Sequence, residues 1–337
     1  MPTLARVVRG RVARWALGVA VAAAALTGCT DPDGAATQPP DASGADASPI
    51  PNADATDASP SPTVEAAPET GEPDRIAAVR RPDTAREAAR RLTWAQRVID
   101  DPSAPPRALV RAARQQQLVY RELGTRSRWD TAVLAGVPAA LRPQVRANVA
   151  SRREFRALHG NDLADTLPAW RIVAPAPAEE LLRYYRRGEQ SYGIGWEYLA
   201  AINLVETAMG RIRGTSVAGA QGPMQFLPST WAKWGRGGDI EDPRDAIQAA
   251  ARYLAHDGGA RPERLAGALF RYNNSLHYVR GVTHLAEVME HDPRAFYGYY
   301  HWDVYYLTSQ GDVRLPVGYE RKRPVPVERW LARHHQR

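Results

Sequence analysis

The segment from residue 29 to residue 71 most constrains the fold, because it cannot contribute to a hydrophobic core. It contains eight acidic residues, no lysine or arginine and no aromatic residue, and it is rich in Ala, Asp, Pro, Ser and Thr. Such a composition buries too little apolar surface to offset the entropy of ordering the chain. We therefore expect an extended tether here, and a folded domain must be built from residues 72–337.

Residues 1–28 have the pattern of an export signal. Four arginines precede an apolar run from Trp15 to Leu26, which as a helix spans about 18 Å and is shorter than a hydrocarbon core of about 30 Å. The run ends in Leu26-Thr27-Gly28-Cys29, which resembles the lipobox of bacterial lipoproteins. This resemblance implies cleavage before Cys29 and a lipid on its sulfur, which would anchor the protein to the outer face of the cytoplasmic membrane. The alternative is an ordinary secretory signal.

Cysteine content and charge exclude several classes of protein. The single cysteine of the chain excludes a disulfide framework, a cysteine-ligated zinc site and a Cys-x-x-Cys redox pair. The chain has a formal charge of +7, and residues 72–337 alone carry +11. A basic domain suits an anionic partner, either nucleic acid or the bacterial cell wall. Because an exported chain does not meet nucleic acid, we expect the anionic partner to be the cell wall.

The remaining sequence predicts a mainly α fold. Residues 72–178 contain helix starts at 82–83, at 105–106 and near 130–131, which indicate an N-terminal extension of three or four amphipathic helices. Further helices are predicted over 179–193, 195–209, 228–234, 243–254 and 262–272. Residues 304–315 predict a β-hairpin about Gln310-Gly311, and we expect the arginine-rich tail from Arg321 to be loose.

Glu206 is the candidate catalytic residue within the helix predicted at 195–209. At 100° per residue it falls on the apolar stripe that Leu199, Ile202 and Met209 form. Burial of a carboxyl group raises its pKa and keeps it protonated near neutral pH, as a general acid requires. The alternative from this helix alone is a buried ion pair with one of the many arginines.

Four blocks of sequence follow residue 189, at 205–207, 219–228, 245–254 and 272–273. In content and order they resemble the lytic murein transglycosylases of bacterial cell walls, in particular the soluble and membrane-bound B-type enzymes. The resemblance covers roughly residues 189–307 and implies the lysozyme-like fold that these proteins share.

The resemblance implies a role for each of five residues. Glu206 is expected to be the catalytic acid and base, and Ser216 is expected to help orient it. Gln225 is expected to contact the N-acetyl region of the sugar, with Tyr272 and Asn273 closing the site. No cofactor is implied.

The sequence departs from the family in three places. Thr207 replaces the usual serine after the glutamate but keeps a hydroxyl group, and Leu227 stands where many members have methionine. Residues 235–242 lack the Asp-x-Asp-x-Asp-Gly spacing of the calcium loop found in B-type members. We therefore expect no metal.

The family chemistry needs only one acid. Most glycosidases use two carboxylates, but the first acidic residue after Glu206 is Asp239. One acid suffices if the 2-acetamido oxygen of the substrate attacks C1 and the sugar's own 6-hydroxyl then closes a 1,6-anhydro ring. Two alternatives stay open: a lysozyme-like hydrolase with a second carboxylate near Glu206, and a non-catalytic wall-binding lipoprotein.

These interpretations divide the chain into five parts. They are a lipoprotein signal peptide at 1–28, a tether at 29–71, a helical extension at 72–178, a catalytic domain of the transglycosylase type at 179–307, and a hairpin with a basic tail at 308–337.

Overall fold

A computed structural model describes residues 79–160 and 163–334, which fold as one mainly helical unit. The predicted signal peptide, Cys29 and the predicted tether lie outside the described residues. The mainly α prediction is confirmed. Among the described helices, none is both long enough and apolar enough to cross a membrane.

Four helices form the N-terminal extension. They are α1 (Ala85–Asp100), α2 (Pro106–Leu123), α3 (Asp130–Gly136) and α4 (Arg142–His159). Thr84 caps α1, since its side chain accepts a hydrogen bond from the amide of Glu87 at 3.2 Å. The three predicted helix starts are therefore confirmed to within three residues.

Eight helices complete the described fold. They are α5 (Ala178–Tyr192), α6 (Trp196–Thr207), α7 (Pro228–Trp234), α8 (Pro243–His256), α9 (Pro262–Tyr272), α10 (Leu276–His291), α11 (Ala295–Tyr300) and α12 (Val327–Leu331). Helix α6 lies at the centre of the largest core cluster, and α5, α8 and α10 pack around it.

The extension packs tightly on the rest of the fold through α4 and α10. The ring of Phe155 on α4 lies so close to Gly281 on α10 that a Cβ atom there would be 2.6 Å from it. Ser151 donates a hydrogen bond to the carbonyl oxygen of Gly281 at 2.9 Å, and Tyr299 donates to Asn148 at 2.7 Å. The extension therefore shares buried contacts with the helix that faces α6.

Helix α6 ends two residues earlier than the sequence predicts. The predicted helix continues to Met209, but Thr207 is the last helical residue, and Ala208, Met209 and Gly210 all have positive φ. Arg211 holds this turn, because its guanidinium donates to the carbonyl oxygen of Ala208 at 3.0 Å. The prediction failed because the apolar period continues past the helix end, where the side chains enter the core from a left-handed turn instead.

Six short strands form three two-stranded antiparallel sheets. They are β1 (Thr166–Leu167) with β6 (Val325–Pro326), β2 (Arg171–Ile172) with β3 (Ile212–Arg213), and β4 (Val304–Thr308) with β5 (Gly311–Leu315). The predicted hairpin is confirmed. It begins at Val304, so the expected boundary between residues 307 and 308 falls inside a strand.

The expectation of a loose tail is wrong for the described part after Arg321. Trp330 on α12 is 5% exposed and packs edge-on against Tyr319, at a ring-centroid distance of 5.2 Å. The guanidinium of Arg321 lies over both rings, at 5.5 and 5.0 Å. Two aromatic side chains within a basic sequence supply enough apolar area to hold it in place.

Candidate active site

Glu206 lies in the last turn of α6 and is 1% exposed. Its Oε1 atom accepts a hydrogen bond from the hydroxyl group of Tyr278 on α10 at 2.9 Å. Burial raises the pKa of Glu206 to about 8, and the hydrogen bond from Tyr278 lowers it by a smaller amount. The carboxyl group is therefore mostly protonated at pH 7, the state that a general acid needs.

The second carboxyl oxygen of Glu206 is buried and has no hydrogen-bond partner. Among the described residues, no arginine or lysine forms an ion pair with this side chain, and burial and Tyr278 are the only resolved influences on its pKa. The ion-pair alternative is therefore wrong. A buried polar atom without a partner is uncommon and needs an explanation. Such an atom is explained if it donates the proton of a general acid to a substrate oxygen.

Glu206 is not buried by lying on the apolar stripe of an amphipathic helix, as the sequence suggested. Helix α6 has no exposed polar face opposite an apolar stripe, since every residue from Leu199 to Thr207 is buried. Residues of other elements therefore cover nearly all of the surface of the glutamate.

Two polar residues on α6 hold the following glycine-rich loop. Thr207 donates a hydrogen bond to the carbonyl oxygen of Pro223 at 2.6 Å, and Asn203 donates to the same oxygen at 2.7 Å. Asn203 itself accepts from the hydroxyl group of Tyr185 at 2.7 Å. The hydroxyl group at position 207 therefore connects α6 to the loop.

The loop itself is a tight turn with its ends paired. Gln221 and Phe226 exchange two backbone hydrogen bonds of 2.9 Å. Gly222 has φ +72°, and a Cβ atom there would lie 1.9 Å from the carbonyl oxygen of Ile240. The amide of Gly222 also donates to Glu241 at 3.1 Å. Only glycine fits this position, because the backbone of the segment after α7 passes directly over it.

Tyr272 and Asn273 lie at the end of α9, next to this loop. The hydroxyl group of Tyr272 donates to the carbonyl oxygen of Met224 at 2.7 Å. Burial raises the pKa of Tyr272, and the nearby Glu206 raises it further. Asn273 is 3% exposed. The structure therefore brings Tyr272 together with Glu206 and the loop.

Ser216 and Gln225 contact the loop backbone instead of Glu206. The Oγ atom of Ser216 accepts a hydrogen bond from the amide of Ala220 at 3.0 Å, and it makes no hydrogen bond to Glu206 in this structure. Gln225 has φ +49°, and its side chain donates to the carbonyl oxygen of Gly222 at 3.0 Å. The hydroxyl group that reaches Glu206 is that of Tyr278, so the expected orienting contact of Ser216 is absent.

Sequence reasoning missed Tyr278, Asn203 and Tyr185. Asn203 and Thr207 are four residues apart in α6, and that spacing places both on one face. It was the one available signal for the loop contact. Tyr278 has no comparable signal, because only the packing of α10 on α6 brings it to Glu206.

A row of aromatic rings extends from Tyr272. Its ring lies 5.7 Å from that of Tyr253, which in turn stacks on Trp234 at 5.7 Å. Trp231 contacts Phe226 at 5.5 Å. Trp196, by contrast, packs against Phe296 within the core, and Tyr299 is 1% exposed.

The acidic side chains of the segment after α7 are engaged in helix capping, in contacts with backbone amides and in an ion pair. Asp242 caps α8, Asp239 accepts from the amide of Glu241, and Glu241 pairs with Arg213 at 3.1 Å. Over residues 79–160 and 163–334, no group of three His, Cys, Asp or Glu side chains is arranged to hold a metal ion. Expected metal independence stays a prediction.

Comparison with known families supports the motif-based interpretation. Residues 183–287 match the family model described as Transglycosylase SLT domain. The matched segment includes Glu206, the glycine-rich loop, Tyr272, Asn273 and Tyr278. No curated protein and no solved structure gave a significant match. The match at residues 183–287 supports the activity of a lytic transglycosylase that acts on peptidoglycan in the cell wall.

Proposed function

We propose that this protein is a lytic transglycosylase of the soluble and membrane-bound B-type family. It cleaves the β-1,4 bond between N-acetylmuramic acid and N-acetylglucosamine and leaves a 1,6-anhydro end. The observation that carries the proposal is the environment of Glu206: buried, protonated at neutral pH, held by Tyr278 through one oxygen and unpartnered at the other.

In the first step, Glu206 acts as the general acid. Its Oε2 atom is free to donate the proton to the glycosidic oxygen as the bond from that oxygen to C1 of the muramic acid breaks. The acetamido oxygen of the same sugar forms a bond to C1 and takes the place of an enzymic nucleophile. The leaving sugar departs with the proton on its 4-oxygen.

In the second step, the ionised Glu206 acts as the base. It takes the proton of the 6-hydroxyl group, whose oxygen attacks C1 while the acetamido oxygen leaves. The hydrogen bond from Tyr278 stabilises the carboxylate during this interval. Each turnover restores the proton to Glu206 and consumes no water.

The single-acid mechanism is favoured over hydrolysis by what surrounds Glu206. A second catalytic carboxylate at the usual separation of about 5–10 Å is expected to raise the pKa of Glu206 through its charge. Within the described residues, no acidic group has a resolved influence on that pKa.

The proposal is tested by digesting purified peptidoglycan with wild type and with Glu206→Gln. The amide keeps the shape of the side chain but cannot transfer a proton. We expect release of soluble fragments to fall by about 10³–10⁴, with the circular dichroism spectrum unchanged. Undiminished release by a folded Glu206→Gln protein would remove Glu206 from the mechanism.

We also propose that the protein is a lipoprotein anchored through Cys29, so that the tether presents the domain to the wall. The motif that ends the apolar run supports this proposal. Cys29→Ser should lose the lipid and leave the membrane fraction or stay uncleaved at this site. A mature-sized Cys29→Ser protein that still fractionates with membranes contradicts the proposal.

A further inference from the structure

A strongly basic pocket lies beyond the end of α7, outside the site described above. Four arginines line it, Arg187, Arg236, Arg244 and Arg252, with Asp245 as its one acidic lining residue, and we call it the arginine pocket. Its cavity volume is about 320 Å³. The lining carries a formal charge of +3, so the pocket attracts anions.

Arg252 forms a fixed wall of the arginine pocket. Its guanidinium donates two hydrogen bonds to the carbonyl oxygen of Trp234, at 3.1 and 2.7 Å, and a third to the hydroxyl group of Tyr192 at 3.1 Å. Both acceptors, the carbonyl oxygen and the hydroxyl group, are neutral. The side chain is therefore held in place while its positive charge is not compensated by a carboxylate.

Arg236 lies on the rim in a strained backbone conformation. Its φ is +49°, a value that disfavours a side chain by about 1–2 kcal/mol. It follows Gly235, where a Cβ atom would lie 2.4 Å from the ring of Trp231. Arg236 and Arg187 are both exposed, and neither forms an ion pair or side-chain hydrogen bond with another described residue. Strain of this kind concentrates where a side chain is needed for function.

The arginine pocket adjoins the row of aromatic rings that leads from the active site. Trp234, whose carbonyl oxygen Arg252 holds, stacks on Tyr253 at 5.7 Å, and Tyr253 lies 5.7 Å from Tyr272. The rings of Trp234 and Tyr272 are therefore at most two such contacts apart. An extended peptide covers that span with about three to four residues.

We propose that the arginine pocket binds the carboxylates of the peptide that is attached to the lactyl group of muramic acid. This inference rests on the proposed function, because it assigns a second part of the same substrate to a second part of the surface. Guanidinium groups bind carboxylates through paired hydrogen bonds, which favours arginine over lysine at such a site. The protein accordingly prefers glycan strands that carry peptides to strands without them.

The test measures binding by a full-length protein that carries Glu206→Gln, so that no cleavage interferes. Its affinity is measured for insoluble peptidoglycan and for the same material after an amidase has removed the peptides. We expect tighter binding to the peptide-bearing form. Adding Arg187→Gln and Arg236→Gln should reduce the ratio of the two affinities about five- to tenfold, as exposed charge contacts allow.

Arg90→Gln combined with Arg107→Gln is the matched control, because it removes the same number of charges at two exposed arginines, on α1 and α2, far along the chain from the pocket. It should leave the affinity ratio unchanged. An equal loss of the ratio in this control means that only total charge matters and overturns the proposal. An unchanged ratio in the pocket variant overturns it as well.

A further binding measurement distinguishes peptide carboxylates from the phosphate groups of other wall polymers as the ligand. Peptidoglycan is stripped of phosphodiester-linked polymers before the binding measurement. If the pocket variant and its parent then bind equally, phosphate is the ligand and the proposal is wrong. Because this assay needs no product, it succeeds or fails separately from the digestion that tests the proposed function.

Discussion

The hydroxyl group of Tyr278 donates a hydrogen bond to Oε1 of Glu206 across 2.9 Å, while Oε2 of the same carboxyl group has no partner. The two oxygens thus have different roles. One is oriented by α10, and the other is available to a substrate oxygen. The orientation of the acid comes from Tyr278 on α10, whereas burial among the surrounding elements raises its pKa.

The first prediction concerns Tyr278→Phe, which removes the donor and keeps the ring. The hydrogen bond lowers the pKa of Glu206, so its loss should raise that pKa and move the alkaline fall in activity from near pH 8 to higher pH. We expect kcat to fall by about tenfold, because one charge-assisted hydrogen bond is lost in the second step. Both quantities are read from kcat measured against pH.

Tyr299→Phe is the control for this variant. It removes a similarly buried hydroxyl group, which donates to Asn148 at 2.7 Å. Its stability should fall, but its pH profile should match that of the wild type. A shift of equal size in both variants would show that Tyr278 acts only through general stability.

The second prediction concerns the stability of Glu206→Gln as a function of pH. Folding raises the pKa of Glu206 from 4.5 to about 8, so the folded state holds this proton more tightly than the unfolded state. The resulting contribution to stability is complete below about pH 4.5 and is lost as the pH rises to about 8. Glutamine does not titrate, so the variant should gain stability relative to wild type across that range, by about 2–4 kcal/mol.

The measurement is the free energy of unfolding in urea at about pH 5 and about pH 8. Glu290→Gln, at an exposed position of α10, serves as the control and should show no such gain. A Glu206→Gln protein whose relative stability is the same at both pH values means that the acid is not buried as described.

The third prediction compares two glycines of the loop. Gly222 and Gly219 both have positive φ, +72° and +85°, but only at Gly222 does a Cβ atom meet a neighbour, the carbonyl oxygen of Ile240 at 1.9 Å. Gly219→Ala should therefore cost about 1 kcal/mol of stability. Gly222→Ala should cost several times more and reduce activity, because the loop must move away from the segment after α7. Equal effects of the two substitutions in thermal unfolding would contradict the close approach.

The fourth prediction is that chelation has no effect. The acidic side chains after α7 are engaged in capping and in backbone contacts, as with Asp242 at α8 and Glu241 at Gly222. EDTA should therefore leave the melting temperature and the activity unchanged. A drop of several degrees that calcium restores would show a metal site that the residue spacing does not predict.

The sequence predicted those elements whose ends are marked by local chemistry. Helix α9 spans Pro262–Tyr272 as predicted, because proline begins it and the following asparagines cannot easily extend it. The predicted end of α6 was wrong by two residues, because the apolar period continues past Thr207 into a left-handed turn that Arg211 holds. The prediction of a loose tail after Arg321 was wrong. It relied on the high charge of this segment and overlooked Trp330, which is buried and anchors it.

The candidate site was predictable only for those residues that belong to sequence motifs. Glu206 and Tyr272 are carried by motifs, and the structure brings them together. The role expected of Ser216 does not match its contact with Ala220. The partner of Glu206 lies 72 residues further along the chain, and only tertiary packing reveals such a pair.

In the proposed mechanism one buried acid cleaves the glycan strand without consuming water, and the chemistry of the new sugar ends tests this mechanism most directly. Purified peptidoglycan is digested with the wild-type protein, and the masses of the fragments are measured by mass spectrometry before and after treatment with borohydride. We expect fragments that end in 1,6-anhydro-N-acetylmuramic acid, one water lighter than hydrolysed ends and unchanged by borohydride. Muramic acid ends that borohydride reduces would contradict it and identify a hydrolase of the lysozyme type.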